Sequence, residues 1–431
     1  WFPERTIMFP FNVSRLNDES RRDFLSTMAK SCLGVSLLPQ LANLASAQSR
    51  GGKPMHVIYL FMAGAMSHLD TFDPKPKNKK VQGQTGVINT KTAGMQLSEH
   101  MSGLAKISNR FSLVRSLSTT TGAHEPARYL MRTSYKPIAS IRHPGLGPWV
   151  QRLAGKISRD LPPTVQIGGG EGPGYLGAQY APVPLGDPER GLENTKTPAY
   201  LSEKAFDKRI QLSTSFDSGF RQRAAKSSRV TGYDDLYEDA IRLLRSEDLK
   251  AFDISLEPDA MKQAYGETRF GRGALLARRL VENGVRFVEV SFGSWDHHND
   301  IFNTVPDKAA ELDKVASALI SDLAQRGLLD STLVVVSSEF GRKPHINQNA
   351  GRDHHPAAFS GLLAGAKIKG GQVIGKTDDE AFYVDDEHAS IEDFNATIAT
   401  AIGLKHDEEI RSKTGRPFTI SNGGTPIKKL V

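Results

Sequence analysis

Five short stretches concentrate the side chains able to hold a metal ion, move a proton or grip an anion. "SWDHHND" (294–300) offers Asp296, His297, His298 and Asp300 within a few positions. Carboxylate and imidazole groups at that density suit a divalent ion such as Zn or Mn. "GRDHHP" (351–356) adds Arg352, Asp353, His354 and His355 in a loop preceded by glycine. "SSEFGR" (337–342) supplies Glu339, a carboxylate able to bind metal, and Arg342, whose planar fork can clamp an oxyanion bidentately. "AGAMSHLDTFDPKP" (63–76) follows small residues with Ser67, His68, Asp70 and Asp73, which reads equally as a tight turn entering an Asp-Pro loop. The fifth, "HEPAR" (124–128), puts His124 two residues ahead of a proline and Arg128 one helical turn further on.

These groups need a frame, and the apolar pattern provides one. "HVIYLFM" (56–62) is a short continuous apolar run of the kind that forms a buried strand. Residues 111–116, 164–169, 285–293 and 332–338 read the same way. Apolar spacing of three and four predicts helices over 267–282 and 306–327, each stopped by glycine. Strand and helix in alternation predict an α/β fold, with a mostly parallel central sheet and helices on both faces. Four of the five polar stretches follow predicted strands directly or closely. In such sheets, sites form beyond the carboxyl ends of the strands. If the strand continues into "SWDHH", alternation points Asp296 and His298 one way and His297 the other. Proline fits the first turn of a helix, so His124 stands at a helix amino end, where free N–H groups favour a bound anion.

The rest of the chain narrows the function. A net charge of +7 over 431 residues, with no basic stripe interleaved with aromatics, gives no support to nucleic-acid binding. "GGGEGPGYLG" (168–177) lacks the spacing of a dinucleotide or P-loop site, and no haem motif occurs, so a redox enzyme finds no support. Residues 190–265 are charged and helical without a chemical motif, and read as an insertion covering one side of a single domain spanning 48–431.

The amino-terminal part reads as an address. Arg21-Arg22 precede a weakly apolar stretch containing Lys30 and ending in Ala45-Ser46-Ala47, a small-residue cleavage pattern. The arrangement is similar to a twin-arginine export signal over residues 1–47, with residues 1–7 as an over-extended start before Met8. It implies a periplasmic or extracellular protein without a transmembrane anchor. It also contains Cys32, the only cysteine, so cleavage leaves no disulfide or thiolate chemistry.

Taken in order, "LDTFDPKP", "SWDHH", "SEFGR", "GRDHHP" and "GGQVIGKTD" resemble the secreted bacterial family called domain of unknown function 1501, across nearly all of residues 55–404. "TLVVVSSEFGR" and the helix before it also resemble the late strand–helix unit of the alkaline phosphatase/sulfatase superfamily. That likeness implies an alkaline phosphatase-like fold. Sulfatases of the superfamily carry Cys or Ser, then x-Pro-x-Arg and later Thr-Gly, the first residue being oxidised to formylglycine. Here Pro126, Arg128 and Thr133 keep the spacing, while His124 holds the nucleophile position and Ser134 replaces the glycine. Imidazole cannot become formylglycine, which excludes that mechanism.

The resemblance therefore implies an exported, metal-dependent hydrolase of sulfate or phosphate esters, acting on a small molecule or a polysaccharide. Asp296, His298, Glu339 and His354 would be ligands to a divalent ion (Zn, Mn, Ca or Mg), with Asp70 and Asp353 as further candidates. His124 would act at the reacting centre as base, nucleophile or ligand, and Arg128 and Arg342 would hold the anion. The superfamily places a metal-binding aspartate just after the first strand, where this chain has Ala63-Gly64-Ala65. That departure leaves a different class open: an exported protein that binds anions or glycans without catalysis.

Overall fold

The structure is a computed structural model, and it describes residues 55–193, 195, 200–202, 204–212 and 228–431. The expected export signal over residues 1–47 and part of the 190–265 segment, expected as an insertion, lie outside the described residues. The main strands are β1 (His56–Met62), β2 (Phe111–Ser118), β3 (Thr164–Ile167), β4 (Val183–Leu185), β5 (Phe287–Phe292), β6 (Thr332–Ser337), β7 (Phe359–Gly365), β8 (Val373–Ile374) and β9 (Ala389–Ser390). The helices that flank them are α1 (His124–Thr133), α2 (Leu146–Ala154), α3 (Arg269–Glu282), α4 (Ile301–Gln325) and α5 (Ile391–Ala401).

All nine strands form one sheet in the order β8-β2-β7-β6-β1-β5-β3-β4, with β9 beside β2. Every pairing is parallel except those of β7, which runs against both β6 and β2. The centre is β6-β1-β5. Both faces are covered, which is why β1 is an unbroken apolar run buried along its length. Its alternate residues serve different layers. Ile58, Leu60 and Met62 pack with α3 and α4, while Val57, Tyr59 and Phe61 pack with α1, α2 and α5.

Two elements depart from the sequence reading. Helix α4 begins at Ile301, ahead of Pro306, because Asp300 takes a left-handed conformation and the Ile301 N–H is held by the Ala350 carbonyl at 2.9 Å. Strand β7, "FSGLLAG", is not among the strands expected from the apolar pattern. Its Gly361 lies where a Cβ would come within 2.9 Å of the Phe394 ring, so the position stays small to let α5 pack on the sheet. Between residues 190 and 265, the described residues include the helices Ser228–Arg245 and Asp259–Tyr265. No helix among the described residues is long and apolar enough to cross a membrane.

The turn after β1 sets up everything beyond the sheet. Gly64 adopts φ +113°, and a Cβ there would lie 2.7 Å from the Trp295 nitrogen, so only glycine lets the β1 and β5 loops touch. His68, in the same loop, is completely enclosed, with Nε2 against the Ala381 carbonyl at 2.9 Å. Burial pushes its pKa down to about 4, against the attraction of Asp73. Folded His68 is therefore neutral, while the unfolded chain takes up a proton near pH 6.5. The stability this contributes is complete above pH 6.5 and is lost as pH falls towards 4. At pH 5 the loss should be on the order of 1–2 kcal/mol for this residue. Urea midpoints measured at pH 7.5 and pH 5 should show it, with a shallower fall in His68→Asn; equal falls in the two proteins would contradict the assignment.

Candidate metal centre

The parallel direction of β6, β1 and β5 brings their carboxyl ends to one rim, where three loops meet the start of α1. The loop after β5 carries Asp296 and His298, the loop after β6 carries Glu339 and Arg342, and the short ladder of Gly341–Arg342 with His354–His355 presents His354. Opposite them, the first residue of α1 is His124.

Asp296 lies at the middle of the cluster. Its Oδ2 is 3.3 Å from His124 Nε2, while its Oδ1 is 3.1 Å from His298 Nε2 and 3.2 Å from His354 Nε2. The His298 and His354 Nε2 atoms are themselves 3.0 Å apart. Each ring is oriented from behind. His124 Nδ1 meets Glu339 Oε1 at 2.7 Å, His298 Nδ1 meets Asp353 Oδ1 at 3.2 Å, and His354 Nδ1 meets the Gly122 carbonyl at 2.7 Å. These oxygens can only accept, so each takes an Nδ1 proton, and the three Nε2 atoms turn inward towards Asp296 and one another. His124 Nε2 is buried and makes no hydrogen bond.

Lone pairs facing each other at hydrogen-bond distance require a proton or a cation between them. Ligand atoms of His124, Asp296 and His354 all lie within 4.8 Å of one another, and His298 Nε2 borders the same space. The donor set fits a divalent ion. Three imidazoles and one carboxylate suit Zn or a similar transition ion better than Mg or Ca, which take oxygen. Anchoring each imidazole through its far nitrogen is how metal-binding histidines are held.

The electrostatics match this arrangement. Burial pushes the Asp296 carboxyl up, but the Arg342 guanidinium beside it and the His354 contact outweigh that and hold it well below the usual range. Burial likewise opposes ionisation of Glu339, yet hydrogen bonds from His124 and from the Glu339 and Gly64 N–H groups, with the Arg128 charge, keep it ionised. Burial, with the Arg342 charge, lowers the His354 pKa and favours the neutral ring that a ligand must be.

Several residues expected to touch the metal or the anion have other places. Asp70 is no ligand: it is buried in a two-point ion pair with Arg352 at 2.7 and 3.2 Å and accepts from Ser67 and Thr85 as well, so its oxygens are fully engaged. Glu339 lies behind His124 and away from the inward-facing Nε2 atoms. Asp353 plays the same part for His298, held by Asn347 Nδ2 at 3.0 Å. Arg342 cannot clamp a substrate, because its side chain is completely buried and donates to Gly64 O, Ala65 O, Arg352 O and Asp296. Arg128 is at the mouth, 29% exposed, with Nε 3.2 Å from Glu339 and Nη1 2.9 Å from Glu125. The segment after β5 is a loop and not a strand, yet Asp296 and His298 still face the same cluster.

Sequence reasoning missed the supports. Arg132, one turn beyond Arg128, reaches Glu289 at 2.7 Å and Ser291 at 3.1 Å and lies over the Phe61 ring, fixing α1 against the strand ends. The four-residue spacing of two arginines on one helix face was a readable signal. The Gly122 carbonyl and Asn347 left none.

The family described as "Protein of unknown function (DUF1501)" matches residues 54–431. The chain belongs to that family. No curated protein matches it. Among solved structures it is similar to a sulfatase from Pseudoalteromonas sp., with 13% identity over 89% of this chain and 72% of that one and a TM-score of 0.36. It is also similar to a phosphonate monoester hydrolase from Silicibacter pomeroyi, with 10% identity, 87% and 76% coverage and a TM-score of 0.39. A third is a protein in the alkaline phosphatase superfamily from Vibrio parahaemolyticus, with 12% identity, 90% and 76% coverage and a TM-score of 0.31.

Glu339→Gln tests the anchoring of His124. The amide can no longer both accept from Nδ1 and balance Arg128, so Zn affinity should fall roughly 10- to 100-fold. Isothermal titration would measure this, with an unchanged circular dichroism spectrum as control; unaltered affinity would remove Glu339 from the centre.

Proposed function

We propose that the chain is an exported, metal-dependent hydrolase of sulfate or phosphate esters, without a formylglycine nucleophile. The observation that carries this reading is the convergence of three back-anchored imidazoles on Asp296, with His298 and His354 Nε2 3.0 Å apart. A bound divalent ion would polarise the ester oxygen and make a coordinated water acidic enough to attack near neutral pH.

The chain's own groups do the rest. His124 has one ring nitrogen free, since Glu339 occupies the other, and that nitrogen faces Asp296 as a ligand or as an acceptor for the proton of the attacking water. Arg128 lies partly exposed beside it and would bind the anionic group of the ester. The unpaired N–H groups at the start of α1, which has no side-chain cap, add to the positive field there. Fixed donors and charges of this kind favour the more highly charged transition state over the bound ester. The paired arginines at 21–22 and the Ala45-Ser46-Ala47 pattern support export of the protein to the periplasm or beyond.

The purified protein should contain Zn or a comparable ion and hydrolyse an aryl sulfate or an aryl phosphate. His124→Ala and Asp296→Ala should each lower kcat by at least about 100-fold, the order of a lost general base or metal site. Metal-free protein that turns over neither ester class, before or after loading with Zn or Mn, would end the hydrolase reading. Replacing Arg21 and Arg22 by lysine should leave the precursor in the cytoplasm on fractionation; undiminished export would refute the twin-arginine route.

A further inference from the structure

Four oxygens converge on one fully buried side chain beside the cluster. Two are consecutive carbonyls, Gly64 O and Ala65 O, from the loop after β1; the third is Arg352 O, and the fourth is Asp296 Oδ1. The two carbonyls reach the same point because Gly64 and Ala65 both have positive φ, +113° and +65°. For alanine that conformation is costly and persists only where the surroundings enforce it. Carbonyl oxygens and one carboxylate, gathered from separate loops, resemble the shell of a hard cation. The space is filled by the Arg342 guanidinium, whose side chain has no exposed surface.

We propose that Arg342 is an internal cation in the place of a second metal ion, so that the centre binds one divalent ion and no more. This rests on the metal reading above and adds the number of ions to it. Charge balance supports it. The carboxylates of Asp296 and Glu339 are already matched by the guanidiniums of Arg342 and Arg128. One divalent ion leaves an excess of two positive charges, which an anionic ester can offset. A second would double that excess with no carboxylate left to meet it, since Asp353 is half-exposed and turned towards His298, Asn347 and Lys343. Asp296 Oδ1 is also occupied by the guanidinium, leaving Oδ2 as its unshared donor. Arg342 thus acts through Asp296 and never touches the ester. It is a positioning residue.

Zn titration of the purified protein, with bound metal counted by elemental analysis after dialysis, should give one ion per chain. Arg342→Ala should bind Zn roughly 10- to 100-fold more weakly, as expected for loss of a ligand's supporting group. Added methylguanidinium should restore part of that affinity without altering the wild-type protein, whereas methylammonium should not. Arg342→Lys, which keeps the charge but not the fork, should retain one ion with intermediate affinity. Two ions per wild-type chain would overturn this proposal and leave the metal reading standing; none would overturn both. Arg342→Ala with wild-type affinity, or without rescue when its circular dichroism is native, would also overturn the role of the guanidinium.

Discussion

The site depends on one carboxylate held between unlike partners. Asp296 faces three imidazole nitrogens on its open side and a buried guanidinium on the other. Asp296 is partly open to solvent, and the desolvation it does suffer is outweighed by Arg342, which is always charged and is fixed by three backbone carbonyls. The three loops that supply those carbonyls and the carboxylate are thereby tied together at the rim of the sheet.

Around that interaction the molecule places polar groups in two tiers. The inner tier consists of Nε2 atoms and Asp296. Behind it, Glu339, Asp353 and the Gly122 carbonyl each take an Nδ1–H and set the ring's direction. A fully buried pair, Asp70 with Arg352, stiffens the loops without facing the centre. Arg352 links the tiers, since its side chain pairs with Asp70 while its carbonyl accepts from Arg342. Buried ion pairs add little net stability, because desolvation cancels much of their attraction. Their value here is geometric: each fixes a loop that carries a site residue.

Much of the frame was legible in the sequence. β1 is where its apolar run puts it, and the helices before β5 and β6 follow their spacing, although α4 starts earlier than its proline suggests. These elements are local, and their patterns record which face is buried. β7 was invisible because its small residues answer to α5, which lies farther along the chain. Asp296 and His298 could be placed at the rim because their stretch follows β5 directly, whereas His354 reaches it through the ladder with Gly341–Arg342. Their roles could not be ranked in that way.

The sequence by itself determined the residue types available to the centre and the α/β pattern that gathers them at one edge. Only the tertiary structure decided which acids face inward. Asp70 and Glu339 are the same kind of group in similar loops, yet one is consumed by Arg352, 282 positions away, and the other by His124, 215 positions away. Such pairing depends on distances between loops set by the packing of the whole sheet, and no local pattern encodes it.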